Sequence, residues 1–368
     1  MFLQGFCGLF SLANKNFSKQ KKIMQTNRRS FIKSVSIAGV GLVTVRPSAW
    51  QESSPVAAGK RVGIIGLDTS HSIAFAKTLN NPEAGPQFGG YRVVAAFPQG
   101  SLDIASSVER IPGYTRDIQA MGVEITASVE ELLEKTDVIL LETNDGRRHL
   151  EQAIQVYKAG KTVFIDKPVA GSLTDAIAIY EAANDFKVPV FSSSSLRYMS
   201  NMRDILQKQV IGRVLGADAY SPATLEATHP DLFWYGIHGV EALYTVMGTG
   251  CKSVARAFTP DTDLVTGVWN DNRIGTFRGL RSGKTGYGGV AYGEKGILSL
   301  GDYNGYNPLL EEIVKFFQTG ISPVPASETL EIFTFMEAAD ESKRRKGAVV
   351  ELEEVWQKAS RKVRRNWK

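Results

Sequence analysis

Two polar side chains stand in surroundings that can make them reactive. Lys167 precedes Pro168 and follows the apolar run Thr162–Ile165, which is typical of a buried strand. Open α/β sheets bind ligands at the carboxyl ends of their strands, where a desolvated ammonium group can hydrogen-bond a substrate hydroxyl. His238 lies in the otherwise apolar run 232–240. These two residues are the candidates for acid–base catalysis, with an exposed loop lysine and a core histidine as the alternatives.

The turn that follows the first apolar run can bind an anion. After residues 61–67 the chain continues Asp68-Thr69-Ser70-His71. The first three of these side chains can cap a helix, and a helix N-terminus favours anions such as phosphate. Ser70 and His71 can also donate hydrogen bonds to a phosphate group.

The elements that must position these residues alternate between strand and helix in the first half of the chain. Ser128 and Glu131 form a capping box, and Gly160 is a candidate C-cap. Strands are predicted at residues 61–67, 91–97, 137–142, 162–165 and 188–191, and helices at 73–79, 128–135, 147–159 and 172–186. This alternation predicts an α/β fold with a doubly wound parallel sheet.

The pattern changes after the four serines at 192–195. One helix is predicted over 231–247, and its interior glycines, Gly236 and Gly239, each cost about 1 kcal/mol relative to Ala. That cost indicates that another group approaches this helix closely. Strands follow at 253–258, 264–269, 273–278, 287–292 and 297–300, and helices return at 308–319 and 327–343. Consecutive strands predict an α+β domain built on a large, open mixed sheet.

Four short segments occur in an order that is typical of one family. They are Val62-Gly63-Ile64-Ile65-Gly66, Glu142-Thr143-Asn144-Asp145 with His149, Ile165-Asp166-Lys167-Pro168, and Gly236-Ile237-His238. Over about residues 60–350 the chain resembles the Gfo/Idh/MocA family of glucose–fructose oxidoreductases and inositol dehydrogenases. The resemblance implies a Rossmann domain followed by an α/β domain with a large open sheet, NAD or NADP as cofactor, and a sugar or polyol as substrate. The Glu-Lys-Pro motif of the family corresponds to Asp166-Lys167-Pro168, and its helix histidine corresponds to His238.

The resemblance also implies roles for individual residues. Lys167 and His238 are the implied catalytic residues. Trp234 and Tyr235 can form a wall on which a sugar stacks, with a place in the hydrophobic core as the alternative, and Asp231 and Arg197 complete the implied substrate site. The implied cofactor site consists of Gly66, Leu67, Asp68, Thr69, Ser70, His71, Thr143, Asn144, His149, Asp166 and Lys167.

The dinucleotide loop departs from the usual Gly-x-Gly-x-x-Gly pattern. Aligned on Gly66, the second glycine is replaced by Asp68 and the third by His71. The second glycine normally lets the backbone approach the pyrophosphate, whereas a carboxylate is bulkier and repels phosphate. Asp68 is therefore expected to turn away and to cap the following helix through the N–H of Ser70 or His71.

Two further departures concern the ribose and the histidine. Residues 97–101 contain no carboxylate for a ribose and no basic residue that argues for NADP, so NAD and NADP both remain open. Trp234 stands where the family commonly has an aspartate four residues before the histidine, and Asp231 is the candidate substitute on the same helical face. A sugar-binding or scaffold protein that has lost the cofactor is the alternative.

Composition and charge exclude several other classes. With 43% hydrophobic and 22% charged residues, the 368-residue chain is neither disordered nor a multi-span membrane protein. Eight of its 43 basic residues and none of its 38 acidic residues fall within residues 1–49, which leaves 35 basic against 38 acidic residues and no signature of nucleic-acid binding. The four histidines have no metal-ligand spacing, so no metal site is predicted.

The basic N-terminal segment indicates export. Arg28-Arg29, then Phe31 and the apolar stretch 34–45, have the layout of a twin-arginine signal, with a disordered basic terminus as the alternative. The stretch is shorter than the roughly 20 residues that span a bilayer, so a periplasmic or extracytoplasmic protein without a transmembrane span is predicted. Met24 is a second candidate start.

Export and the open sheet lead to the remaining expectations. Without an external nicotinamide pool, the cofactor must be held tightly and regenerated in place, by a sugar–sugar oxidoreduction or a redox-neutral keto-sugar mechanism. An uncovered sheet face predicts a homo-oligomer. The predicted organisation is a leader and linker at 1–58, a Rossmann domain at 59–192, a substrate and oligomerisation domain at 193–350, and a basic tail at 351–368 that forms a solvated helix or contacts a membrane surface or partner.

Overall fold

The structure is a computed structural model and describes residues 60–366. The predicted leader and export signal lie outside these residues. Residues 60–357 belong to one compact unit that contains both sheets. Among the helices of the described residues, none combines the length and apolarity needed to cross a membrane.

The first sheet is parallel and buried. Its strands are β1 (Arg61–Ile65), β2 (Arg92–Phe97), β3 (Glu124–Ile125), β4 (Val138–Leu141), β5 (Thr162–Ile165) and β6 (Val190–Phe191). They lie in the order β3-β2-β1-β4-β5-β6, so the direction of winding reverses between β1 and β4. Ligands of such sheets bind at that reversal, beyond the carboxyl ends of the strands. The predicted doubly wound parallel sheet is confirmed.

Helices connect these strands, and most of them begin at a capping side chain. They are α1 (Ser70–Leu79), α2 (Ala105–Ala120), α3 (Val129–Lys135), α4 (Gly146–Lys158) and α5 (Leu173–Phe186). Thr69, Ser128, Asp145 and Ser172 cap α1, α3, α4 and α5. The sequence pattern missed α2, which has no side-chain cap and contains Pro112 in its interior.

The second sheet is mixed, as predicted. Its strands are β7 (Val214–Pro222), β8 (Cys251–Phe258), β9 (Thr262–Trp269), β10 (Ile274–Leu280), β11 (Gly288–Gly293), β12 (Gly296–Ser299) and β13 (Val350–Glu351). They lie in the order β12-β11-β7-β10-β9-β8-β13. The neighbours β7 and β10 are parallel, whereas the other neighbouring strands pair antiparallel.

Among the described residues, the second half of the chain contributes six α-helices. They are α6 (Met202–Leu206), α7 (Asp231–Trp234), α8 (Ile237–Met247), α9 (Asn307–Thr319), α10 (Ala326–Arg344) and α11 (Leu352–Asn366). α8 packs on β7 and β10, and α10 packs on β8. α9 returns to the first sheet, where Leu310 and Phe317 join the core that contains Ile64 and Phe164.

The predicted single helix over 231–247 is wrong at its centre. Tyr235, with φ −133° and ψ −29°, separates α7 from α8. A Cβ on Gly239 would lie 2.4 Å from the ring of Phe277 in β10. The close approach expected at this glycine is therefore confirmed, and the group that approaches is the second sheet.

The other face of the second sheet carries apolar side chains in solvent. Burial alternates along β9 and β10, so one face is covered and the other is not. Ile274 is 54% exposed and Ile297 is 69% exposed. This surface is the one from which the sequence predicts oligomerisation.

Candidate active site

The turn between β1 and α1 lies against the residues that follow β4. Gly66 has φ +94°, and a Cβ there would lie 2.5 Å from the main-chain nitrogen of Thr143. Thr69 accepts a hydrogen bond from the N–H of His71 and caps α1. Ser70 is exposed, and its hydroxyl lies 3.1 Å from that of Tyr306. Leu67, in contrast, is a core residue with no exposed surface, so its side chain cannot contact a cofactor.

Asp68 holds this turn to two other segments. Its Oδ1 accepts a hydrogen bond from the N–H of Asn144 at 2.9 Å, and its Oδ2 accepts one from the hydroxyl of Ser107 at 2.6 Å. The prediction that Asp68 caps α1 is wrong, because Thr69 is the cap and both oxygens of Asp68 have other donors. Burial raises the pKa of Asp68, although its hydrogen bonds act in the opposite direction. The carboxylate is thus directed to groups outside α1.

Arg110 is a cation at this turn that the sequence analysis missed. Its Nη1 donates a hydrogen bond to the main-chain oxygen of Asp68 at 3.3 Å, and its side chain is exposed. An exposed guanidinium beside a helix N-terminus can bind phosphate. Since α2 was not predicted, no sequence signal could place residue 110 beside the turn.

The residues after β4 are buried and hold neighbouring loops. Thr143 has no exposed surface, and its Oγ1 has no hydrogen-bond partner among the described residues. His149 is also fully buried, with Nε2 2.6 Å from the carbonyl oxygen of Thr143 and Nδ1 3.2 Å from that of Val169. Burial lowers the pKa of His149. His149 therefore joins two loops, and the predicted contact with a cofactor is not supported by its position.

Asp166 connects the end of β5 with α1. One of its oxygens accepts a hydrogen bond from the N–H of Lys167 at 2.8 Å and lies 2.9 Å from Nδ1 of His71. Although burial alone would raise it, His71 and Lys167 hold the pKa of Asp166 below its usual value. The fold thus brings His71 beside Asp166 and Lys167, which are adjacent in the sequence and about 95 positions later.

Lys167 is buried at the carboxyl edge of the first sheet. Its side chain is enclosed, with a residue exposure of 6%, and its Nζ lies 5.4 Å from the ring centroid of Tyr235. Burial lowers the pKa of this ammonium group, although Asp166 acts in the opposite direction. The alternative of an exposed loop lysine is therefore excluded.

His238 lies near Lys167 and is hydrogen-bonded to a serine. Its Nδ1 lies 2.7 Å from Oγ of Ser194. Because Ser194 occupies Nδ1, Nε2 is the ring nitrogen that remains for a substrate. Burial lowers the pKa of His238 well below its usual value, and Lys167 lowers it further. The imidazole is therefore neutral at pH 7.

Four tyrosines, which we call the tyrosine row, extend from His238 along the site. The ring of Tyr235 lies 5.0 Å from that of His238, and its hydroxyl lies 2.9 Å from that of Tyr287. The rings of Tyr287 and Tyr303 are 5.8 Å apart, and those of Tyr303 and Tyr306 are 6.0 Å apart. Only Tyr235 was predicted, because the other three follow the strands of the second sheet at positions without a distinctive pattern.

Asp231 is not the partner of His238. It forms an ion pair with Arg256, with a distance of 2.8 Å between Oδ2 and Nη2. The interruption at Tyr235 means that a spacing of seven residues no longer keeps Asp231 and His238 on one helical face. Ser194 occupies the place at Nδ1 that the sequence analysis gave to a carboxylate.

Two other predicted substrate residues are engaged elsewhere. The guanidinium of Arg197 lies 3.0 Å from Glu241 and 2.7 Å from Glu328, and the side chain is only 12% exposed. Its predicted contact with substrate is therefore not supported. The ring of Trp234 packs 4.9 Å from that of His229, whereas Tyr235 is the member of the predicted stacking wall that lies beside Lys167 and His238.

Asp145 links the first sheet with the second half of the chain. Its Oδ1 lies 3.2 Å from Nε2 of His229, and both side chains are fully buried. Asp145 also accepts a hydrogen bond from the N–H of Arg147 at 2.9 Å. Although burial alone would raise it, the nearby imidazole of His229 and the hydrogen bonds from Arg147 hold the pKa of Asp145 far below its usual value.

The residues at this edge fit a dinucleotide, with one departure. The N-terminus of α1, exposed Ser70 and exposed Arg110 supply donors for a pyrophosphate. At the end of β2, the exposed polar side chain is Gln99 rather than a carboxylate. These donors do not distinguish NAD from NADP.

Comparison with known proteins agrees with this geometry. Residues 33–194 match the model of the Gfo/Idh/MocA family, an oxidoreductase family with an NAD-binding Rossmann fold. The 1,5-anhydro-D-fructose reductase of Ensifer adhaerens is 31% identical over 121 residues, which are 32% of this chain and only 36% of that relative's length.

Two solved structures have the same fold at low sequence identity. Myo-inositol 2-dehydrogenase from Lactobacillus plantarum matches with a TM-score of 0.64 and 16% identity over 79% of this chain and 98% of that chain. Scyllo-inositol dehydrogenase from Lactobacillus casei, with bound NAD(H) and scyllo-inositol, matches with a TM-score of 0.64 and 14% identity over 80% of this chain and 99% of that chain.

These findings agree with the resemblance that the four motifs indicate: residues 33–194 match the model of the Gfo/Idh/MocA oxidoreductase family, and the structural neighbours share the fold of both sheets. The predicted nicotinamide dinucleotide cofactor is confirmed at the level of the family description. The predicted class of enzyme, an NAD(P)-dependent oxidoreductase, agrees with the same description.

Proposed function

We propose that this protein is an NAD(P)-dependent oxidoreductase that acts on a hydroxyl group of a sugar or polyol. The observation that carries the proposal is the position of Lys167, which is buried at the carboxyl edge of β5 with its Nζ 5.4 Å from the ring of Tyr235, a ring that lies 5.0 Å from that of His238. A buried amine and a neutral imidazole at that edge are suited to hold and move the proton of a substrate hydroxyl.

A bound nicotinamide supplies the acceptor for the hydride that leaves the carbinol carbon. Residues of the chain accept the proton that leaves the same hydroxyl group. Lys167, whose pKa is lowered by burial, hydrogen-bonds the reacting hydroxyl and takes its proton as the carbonyl forms. His238 hydrogen-bonds the same oxygen or a neighbouring one through Nε2, because its Nδ1 is hydrogen-bonded to Ser194. In the reductive direction the same proton returns to the carbonyl oxygen.

A sugar or polyol is supported by two observations. The tyrosine row presents aromatic faces and hydroxyls, which together suit the apolar and polar sides of a carbohydrate. The names of the similar proteins also describe a sugar reductase and inositol dehydrogenases.

We also propose that the protein works outside the cytoplasm with a cofactor that stays bound between turnovers. The twin-arginine pattern at Arg28-Arg29 supports export. A bound cofactor that must be returned to its starting state favours a sugar–sugar oxidoreduction or a redox-neutral route through a keto sugar. The exposed apolar face that includes Ile274 and Ile297 supports a homo-oligomer formed through the second sheet.

Turnover assays of three variants test the function. Lys167→Met and His238→Asn should each lower kcat by about 10²–10⁴-fold on a sugar that the wild type converts, because each removes a proton-transfer group. Lys77→Met, which changes an exposed lysine in the last turn of α1, is the matched control and should keep wild-type turnover. Full activity in both site variants would exclude the proposed chemistry.

A cofactor-free sugar-binding protein is the second candidate. The exposed Gln99 at the end of β2, where the family has a ribose-binding acid, is the observation that favours it. Binding of a sugar that Lys167→Met leaves unchanged, in a protein without detectable NAD or NADP affinity, would support this candidate against the first.

A further inference from the structure

Three side chains with metal-binding groups meet beneath the proposed active site. His71 comes from the first turn of α1, Glu142 directly follows β4, and Asp166 directly follows β5. One nitrogen or oxygen from each lies within 4.8 Å of the others, and the three residues are buried, with exposures of 4%, 0% and 1%. The sequence analysis found no metal-ligand spacing because these residues are 71 and 24 positions apart.

Glu142 is the member of this cluster whose carboxylate has no hydrogen-bond donor among the described residues. Both of its carboxylate oxygens are buried and have no hydrogen-bond partner among the described residues, whereas Oδ2 of Asp166 lies 2.9 Å from Nδ1 of His71. A buried carboxylate without a partner is costly. The pair of carboxylates therefore needs a cation or a proton.

The donor set indicates which cation can bind. One imidazole nitrogen and two carboxylate oxygens suit divalent first-row metals such as Zn²⁺ and Mn²⁺ better than Mg²⁺ or Ca²⁺, which prefer oxygen ligands alone. The distance of 2.9 Å between Nδ1 of His71 and Asp166 is close to the roughly 3 Å that separates adjacent ligands about 2.1 Å from one metal ion. The ammonium group of Lys167 is the competing cation in this neighbourhood.

We propose that His71, Glu142 and Asp166 bind one divalent transition-metal ion, which joins the β1–α1 turn to the ends of β4 and β5. The site does not depend on the proposed oxidoreductase function, since its ligands are present whether or not a dinucleotide binds. A metal bound only by the folded protein stabilises it, so the expected consequence is a cross-link of three segments at the carboxyl edge of the sheet.

Titration calorimetry and thermal unfolding test the site. Full-length protein, first treated with EDTA and then dialysed, is titrated with Zn²⁺ or Mn²⁺ alone. The wild type should bind one equivalent and gain on the order of 5 °C in Tm at saturation. Glu142→Gln, which keeps the side-chain shape, should weaken binding at least tenfold, and His71→Gln should do the same.

Glu331→Gln is the matched control, because Glu331 is a carboxylate whose acceptor oxygen is used by the N–H groups of Gly250 and Cys251, away from this cluster. It should bind the metal as the wild type does. Far-ultraviolet circular dichroism after EDTA treatment shows whether each variant is folded. Equal binding by the wild type and Glu142→Gln, or no binding by a folded wild type, would overturn the proposal and leave Lys167 or a shared proton as the partner of Glu142.

Discussion

Asp68 replaces a glycine of the dinucleotide loop, and its side chain joins three segments of the first domain. Its two oxygens accept hydrogen bonds from Asn144 and Ser107, while Thr69 takes over the cap of α1. The carboxylate of Asp68, which would repel a phosphate, is thus directed away from α1 and holds neighbouring segments together. The loop therefore keeps an N-terminus at which a pyrophosphate can bind.

A pair of variants measures this structural role. Asp68→Ala leaves the N–H of Asn144 and the hydroxyl of Ser107 without an acceptor and should lower the free energy of unfolding by about 2–4 kcal/mol. Asp68→Asn keeps the shape and one acceptor and should cost less than about 1 kcal/mol. Urea unfolding at pH 7 compares them, and equal stability of the two variants would contradict this role.

Arg110 is the cation at this turn that can offset the charge of Asp68 when a phosphate binds. Its guanidinium reaches the turn and is exposed to an incoming ligand. Arg110→Gln should therefore raise the Kd for NAD or NADP about tenfold, corresponding to about 1.4 kcal/mol. Arg116→Gln, on the same helix and also exposed, is the control. Calorimetry in which both variants bind as the wild type does would remove Arg110 from the cofactor site.

The interrupted helix shows what an element contributes to the site. Because Tyr235 leaves the helical conformation between α7 and α8, its ring turns toward both Lys167 and His238. Gly239 then lets α8 lie directly on the second sheet. The position of His238 depends on this close contact between helix and sheet.

Two glycine variants test that contact. Gly239→Ala would place a Cβ 2.4 Å from the ring of Phe277 and should destabilise the protein by about 1–3 kcal/mol. Gly113→Ala, inside α2 with no atom within 4 Å of the added Cβ, should instead stabilise it by up to about 1 kcal/mol. Thermal unfolding measures both changes in stability, a decrease for Gly239→Ala and an increase for Gly113→Ala. If Gly239→Ala left the Tm unchanged, α8 would be able to move away from the sheet without a loss of stability.

Hydrophobic periodicity and capping signals predicted most elements, because both are local properties of the sequence. The strand Thr162–Ile165 was predicted with its observed bounds, and Ser128 caps α3 as expected. α2 and the interruption at Tyr235 were missed, since Pro112 opposes a helix locally and the packing of Gly239 on Phe277 is a tertiary contact. Packing between distant segments overrides local helix propensity at α2 and at Tyr235.

In the candidate site as well, local motifs could be recognised in the sequence, whereas contacts between distant segments could not. Lys167 and His238 were predicted from motifs, and both lie in the buried site. The use of Arg197 in an ion pair and the approach of Arg110 come from residues far apart in the sequence. The metal-ligand cluster around Glu142 has the same origin, so spacing along the chain could not reveal it.

Acid stability reports on the link between the two halves of the molecule. The pKa of Asp145 in the folded state lies below its value of about 3.9 in the unfolded state. The ionised carboxylate therefore stabilises the folded protein fully above about pH 3.9, and this stabilisation is lost as the pH falls toward the folded-state pKa. Asp145→Asn should therefore have a lower Tm than the wild type at pH 7, and this difference should shrink below about pH 4. A difference that stays constant from pH 7 to pH 3 would contradict the assignment.

The folded chain is expected to hold a nicotinamide dinucleotide at the carboxyl edge of its first sheet. This is tested by denaturing the purified protein and measuring released NAD(H) and NADP(H) by mass spectrometry. Close to one equivalent per chain is expected, with a reduced amount in Arg110→Gln and an unchanged amount in Arg116→Gln. Absence of any released dinucleotide, together with no binding of NAD or NADP by titration of the folded protein, would show that this edge does not bind the cofactor.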